Sequence, residues 1–138
     1  MAEKSYHLTF RGYWRDLSTG GVPAESGVYC VYECTYDEGK EIVSLHELIY
    51  IGEAENVNTR IATHERRPDW EKHVKPGNGL CFSFAGVREG DREGVEAALI
   101  FRHKPPENDE YKDFFPYEKT SMSLSGRVAL LATHFSVV

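Results

Sequence analysis

Arg60 and His64 stand four residues apart in the stretch LIYIGEAENVNTRIATHE, residues 48–65. If that segment is helical, the two side chains lie one turn apart on one face, beside an apolar stripe of Val57 and Ile61. Alone, such a pair is equally well explained as a solvated helix face. Tyr29 and Tyr50 give it a second meaning, because they lie in runs that read as adjacent strands and could approach the same spot. Glu96 sits between Val95 and the apolar run Ala97-Ala98-Leu99-Ile100-Phe101. A carboxylate in such surroundings is usually ion-paired, metal-bound or at the edge of the apolar stripe. Metal ligation is thus one chemistry open to Glu96.

The elements that must position these residues are legible as changes of period. Tyr6 to Phe10 alternates with period two and reads as a strand, broken by the cluster Ser18-Thr19-Gly20-Gly21-Val22-Pro23. Gly27 to Cys34 and Ile42 to Ile51 are rich in β-branched and aromatic residues, and the polar turn Asp37-Glu38-Gly39-Lys40-Glu41 between them predicts an antiparallel hairpin. Asn56 is a good N-cap for a helix that should end before Pro68. After the turn Pro76-Gly77-Asn78-Gly79, Leu80 to Phe84 alternates again, and Asp91 to His103 has helical spacing stopped by Pro105-Pro106. Met122 to Leu124 and Val128 to Val138 read as further strand or mixed structure around the turn Ser125-Gly126. The order points to an α+β fold, a small sheet with helices packed on it.

A chain of 138 residues is one domain long, and 41% hydrophobic with 28% charged residues argues for a packed core rather than disorder. No repeat or linker divides it, so residues 1–138 form a single domain. The three cysteines, Cys30, Cys34 and Cys81, are odd in number and no secretory leader precedes them, which points to a reducing, cytoplasmic setting. Cys30 and Cys34 could share a strand face, where packing is a better account than a metal site or a disulfide. No apolar run approaches the roughly 20 residues a membrane span needs, so no membrane association is expected. The net charge of −6 leans against nucleic acid, whose partners usually show a basic surface. Charge is uneven, however: Arg60, Arg66, Arg67, Lys72 and Lys75 outweigh Glu65, Asp69 and Glu71 within residues 60–75.

Gly27-Val28-Tyr29 followed by Tyr50-Ile51-Gly52 resembles the paired signature of the GIY-YIG nuclease superfamily, whose first element tolerates valine in the middle. The resemblance continues in order through Ala54, Asn56, Arg60, Glu96 and Lys104-Pro105-Pro106 to Asn108, and covers about residues 26–109. It implies a small three-stranded antiparallel sheet flanked by helices, here with extra N- and C-terminal strands. It also implies hydrolysis of phosphodiester bonds in DNA with one divalent metal, Mg²⁺ or Mn²⁺.

By the same resemblance Glu96 matches the metal ligand, and a hard oxygen donor suits Mg²⁺, which takes one or two carboxylates plus substrate phosphate. Arg60 matches an arginine whose planar fork can hold two phosphate oxygens. Tyr29 matches a tyrosine that acts as general base or orients the attacking water, with Tyr50 its partner. A tyrosine pKa near ~10 makes base catalysis demanding at neutral pH. His64 falls where some restriction-enzyme members place a histidine; it would deprotonate Tyr29 or touch the phosphate, against a plain exposed helix residue. Asn108 matches an active-site asparagine, against a turn residue after the prolines. Gly27 and Gly52 are the signature turn glycines, and Gly52 should let the chain turn away unhindered.

The chain departs from the family in two places. Cys30 to Ile49 is longer than usual, so the hairpin carries an insertion, and Arg66 to Gly79 is extended. The latter holds Trp70, His73 and the candidate nucleic-acid contacts Arg66, Arg67, Lys72 and Lys75; it could follow a DNA backbone or be a solvated loop with Trp70 packed on the domain. His7, His46, His103 and His134 show no ligand spacing. No separate DNA-binding domain follows, so sequence choice would fall to loops, terminal strands or a second subunit in a twofold homodimer. The acidic excess should avoid the cleft, where it would repel the substrate. The competing readings are a non-catalytic binding module that offers its acidic surface to a protein, and a structure-selective or RNA-directed nuclease.

Overall fold

A computed structural model describes residues 3–138. Six strands form one curled, mixed sheet: β1 (Lys4–Arg15), β2 (Gly27–Asp37), β3 (Ile42–Ala54), β4 (Gly79–Gly86), β5 (Thr120–Gly126) and β6 (His134–Val137), in the order β3-β2-β4-β1-β5-β6. The helices are α1 (Val57–Ala62), α2 (Arg67–Glu71) and α3 (Arg92–His103). This corrects the expected three-stranded sheet flanked by helices. The N- and C-terminal strands are not appendages: β1 pairs antiparallel with β4 along Arg11 to Arg15 and parallel with β5 along Lys4 to Phe10. A twelve-residue strand bent between Gly12 and Trp14 can bond different neighbours along its two halves, so it joins β4 to β5.

β2 lies inside the sheet between β3 and β4, and Gly27 to Cys34 is buried throughout. Its alternate residues feed two cores, which is why the run reads as continuously apolar. Val28, Cys30, Tyr32 and Cys34 pack with the buried face of α3, including Val95, Ala98 and Leu99. Tyr29 and Val31 pack with Val57, Ile61, Trp70, Phe82 and Phe84 under α1 and α2. The longer hairpin is simply a longer β ladder, from Asp37 paired with Ile42 back to Gly27 paired with Ala54. Two register shifts interrupt it, and the first leaves Ile49 as an extra residue between Leu48 and Tyr50.

Asn56 caps α1, its side chain accepting the Thr59 N–H at 3.1 Å. The helix stops at Ala62, well short of Pro68, which instead stands at the start of α2. His64 therefore lies in the turn between two helices and not on the face of one. The segment 66–79 is likewise not a free loop. Trp70 is fully buried, and the buried Glu33 carboxylate accepts the Lys75 N–H at 2.9 Å and the Asn78 amide at 2.8 Å.

Cys34 and Cys81 are joined by a disulfide between β2 and β4, with Cα atoms 6.1 Å apart, while Cys30 is free and buried. This corrects the expectation of disulfide-free packing. Cys34 does share a face with Cys30, but its covalent partner comes from the neighbouring strand. No helix among the described residues is long and apolar enough to cross a membrane.

Candidate active site

The site grows from the edge of the sheet, because β3 has a neighbour on one side only. Edge backbone groups need partners, and here they come from Glu107 and from Asn108 of the predicted site. Ile49 C=O accepts the Glu107 N–H at 3.0 Å. Ile51 N–H donates to Asn108 Oδ1 at 2.9 Å, and Asn108 Nδ2 donates to Ile51 C=O at 2.8 Å. Glu96, on α3, lies close enough to Glu53 of β3 to feel its charge. Asn108 is buried and both ends of its amide are engaged, so it clamps the segment after Pro105-Pro106 to β3.

Gly27 and Gly52 stand within strands rather than in turns, and each makes room for an aromatic ring. Tyr29 pairs across the ladder with Gly52, and a β-carbon on Gly52 would collide with the Tyr29 ring and hydroxyl. A β-carbon on Gly27 would lie 2.6 Å from Phe84 Cε1 and against the Ala85 carbonyl. Strand proximity, not backbone freedom, demands glycine at both positions.

Tyr29, Tyr50 and His64 form one aromatic cluster with Trp70. Ring centroids are 6.3 Å apart for Tyr29 and Tyr50, 5.4 Å for Tyr50 and His64, 4.5 Å for His64 and Trp70, and 5.3 Å for Tyr50 and Trp70. Burial, then the neighbouring Tyr50, raise the Tyr29 phenol further above its ordinary pKa, while Arg60 pulls it down. Burial and then Glu96 raise Tyr50, again against Arg60. Both phenols are therefore harder to ionise than a free tyrosine, so Tyr29 acting as general base would need a nearby cation or metal-bound hydroxide.

His64 is fully enclosed, and burial followed by the charge of Arg60 lowers its pKa to about 4. Its Nδ1 accepts the Arg66 N–H at 3.0 Å, which assigns the proton of the neutral ring to Nε2. Nε2 has no acceptor among the described residues. Held this way, the neutral ring presents its N–H at Nε2.

Glu96 and Tyr50 line a cavity of about 100 Å³ with Ile100, Arg66, Asn108, Asp109, Glu110 and Tyr111. Burial, then Glu53, Glu110 and Glu93, push the Glu96 carboxyl up to about 8. The expectation that negative charge avoids the cleft is thus overturned around Glu96. Local cations hold part of it: Arg92 Nε lies 2.8 Å from Glu53, and Arg66 Nη1 lies 2.9 Å from Asp109.

A dication fits this donor set, because it would reverse the repulsion that protonates Glu96. Among the described residues no three His, Cys, Asp or Glu side chains gather into a closed cage.

The basic residues divide. Arg60 grips Glu65 through both terminal nitrogens, at 2.8 and 3.0 Å. Arg66 is committed to Asp69, Glu107 and Asp109, and Arg67 to Asp16 at 2.9 Å and the Ile61 carbonyl at 3.1 Å. Both are tied to the fold by these contacts. Lys72 and Lys75 are exposed, though Lys72 reaches Asp69 at 3.2 Å and Lys75 lies 3.8 Å from Glu33, away from the cavity lining. His103, given no role above, pins the C-terminal segment by bonds to the Leu99 carbonyl at 2.8 Å and the Ala132 N–H at 2.9 Å.

Glu53, Glu110, Tyr111 and Glu65 also belong to the surroundings and carry no sequence signal, since each acts by position alone. Comparison with protein families, with characterised proteins and with solved structures finds no match to this chain.

Proposed function

We propose that this chain is a GIY-YIG-type endonuclease that hydrolyses phosphodiester bonds in DNA with a divalent metal. The observation that carries the reading is the gathering of Tyr29, Tyr50, Arg60 and Glu96 at one end of the β2–β3 ladder, where Arg60 and Glu96 act on both phenols with opposite sign.

Each residue then has a task its environment supports. Arg60 offers a planar fork to two oxygens of the scissile phosphate and offsets charge growing on them. Tyr29 and Tyr50, neutral and fixed by the aromatic cluster, donate hydrogen bonds that orient water and phosphate. Glu96 would hold Mg²⁺ or Mn²⁺ at the cavity mouth. When bound, that ion would lower the pKa of its own water and polarise the phosphate. His64 and Asn108 are positioning residues, one bracing the tyrosines and the other fixing the edge of β3.

A twofold homodimer would bring two such sites to the two strands of a duplex. The same reading puts the protein in the cytoplasm with its DNA, against which the Cys34–Cys81 bridge argues. The acidic surroundings of Glu96 favour one competitor, a non-catalytic module that binds a basic protein segment.

A substrate panel separates the classes. Supercoiled plasmid, single-stranded DNA and RNA are each incubated with the protein in Mg²⁺ and in EDTA. Metal-dependent nicking of the plasmid supports the reading. Cleavage of RNA alone moves the substrate class, and no cleavage of any of them sinks the enzyme in favour of the binding module.

A further inference from the structure

The fork of Arg60 already holds an anion. Glu65 meets it with two parallel N–H···O bonds of 2.8 and 3.0 Å, the same geometry by which a guanidinium takes a phosphate. The carboxylate is exposed, at 67% of its side-chain surface, against 37% for Arg60. The backbone that presents it is not loose. On one side His64 is buried, and on the other Arg66 is tied to Asp69, Glu107 and Asp109. The exposed Glu65 side chain is thus presented to the fork from a fixed stretch of backbone.

We propose that Glu65 is an internal competitor for the phosphate fork of Arg60, which a nucleic-acid strand must displace before its scissile phosphate can enter. This rests on the reading of Arg60 as the phosphate ligand. A tethered carboxylate acts at high effective concentration, on the order of millimolar or above. Small free anions therefore meet a filled fork. A strand that is also held by neighbouring contacts outcompetes the carboxylate, because an exposed ion pair is weak. Acid does not open the fork under mild conditions, since the hydrogen bonds from Arg60 hold the Glu65 carboxyl at about 2. Glu65 thus sets the affinity threshold of the site and selects polyanionic chains over single phosphates.

The test is fluorescence anisotropy with a labelled DNA duplex in EDTA, so that binding is read without cleavage. Glu65→Gln removes the competing charge and should tighten binding about 3- to 5-fold. Glu38→Gln makes the same charge change in the β2–β3 turn, about 30 Å along the strand from Tyr29, and should move affinity by less than about 1.5-fold at physiological salt. The gain must vanish in Arg60→Ala and in Arg60→Lys, the latter keeping the charge without the fork. A gain equal to that of Glu38→Gln, or one that survives without Arg60, overturns the proposal. If Arg60→Ala weakens binding while Glu65→Gln changes nothing, the competitor is refuted and the phosphate ligand stands. If Arg60→Ala leaves affinity unchanged, the phosphate reading falls and the proposal falls with it.

Discussion

The phenol of Tyr29 covers the α-carbon of Gly52, its cross-strand partner, so closely that no side chain fits between them. The two ends of the tripeptide pair are thereby one packing unit. Gly52→Ala should force the ring from its place and cost about 2–3 kcal/mol in denaturant unfolding. In the background of Tyr29→Leu, which removes the hydroxyl and the ring end, the same change should cost at least about 1 kcal/mol less. Additive costs would mean that the two residues do not share the space.

Asn108 replaces a missing strand for Ile51. Asn108→Ala leaves an N–H and a C=O at the sheet edge without partners and should cost about 2 kcal/mol. Hydrogen exchange should show the Ile51 amide opening more readily than that of Val28, deep in β2. An Ile51 amide as protected as in the wild type would show that the clamp does not matter.

Much of the fold is legible in the chain because strands and helices impose short periods. Tyr6 to Phe10, Gly27 to Cys34 and Leu80 to Phe84 all lie in strands, and Asn56 caps a helix. Sheet order is not legible in the same way, since the pairing of Lys4–Phe10 with Thr120–Gly126 joins residues over a hundred positions apart. The first helix does end before Pro68, but Pro68 opens a second helix, so the first one stops early at Ala62 and leaves His64 in the turn between them. The candidate residues Tyr29, Tyr50, Arg60 and Glu96 are legible in the chain only as residue types in the order that the resemblance to GIY-YIG nucleases expects. The roles of Asn108 and Glu65 are not legible, because side-chain bonds to a remote backbone or a nearby arginine leave no pattern.

His64 should make stability depend on pH. Its folded pKa, about 4, lies below the ordinary value of 6.5, so the neutral ring's contribution is complete above pH 6.5 and is lost as pH falls toward 4. The loss should be on the order of 2–3 kcal/mol. His64→Asn, which offers an acceptor to the Arg66 N–H without titrating, should flatten this part of the melting profile. An unchanged profile would place the titration elsewhere.

Glu96 carries the opposite sign. Its raised pKa means that the fold favours the protonated carboxyl, so stability declines as pH climbs from 4.5 through about 8. Glu96→Gln should therefore stabilise the metal-free protein at pH 9 by an amount on the order of 1–3 kcal/mol after allowance for partial exposure, seen as a higher melting temperature. Added Mg²⁺ should stabilise the wild type and not the variant. A destabilised variant would mark Glu96 as structural.

The Cys34–Cys81 bridge closes a loop across 47 positions. Its reduction, or Cys34→Ser, should lower stability by about 2–4 kcal/mol. Equal melting with and without reductant, in protein purified under air, would show that the two thiols remain unlinked.

The most direct measurement is the rate at which the protein nicks supercoiled plasmid in Mg²⁺, with wild type and Glu96→Gln compared under conditions where both are folded. Metal-dependent nicking is expected of the wild type, with a loss of about a thousandfold or more in the variant. Nicking by Glu96→Gln within about tenfold of the wild type, a difference of only 1.4 kcal/mol in the barrier, would contradict a metal-dependent site built on Glu96.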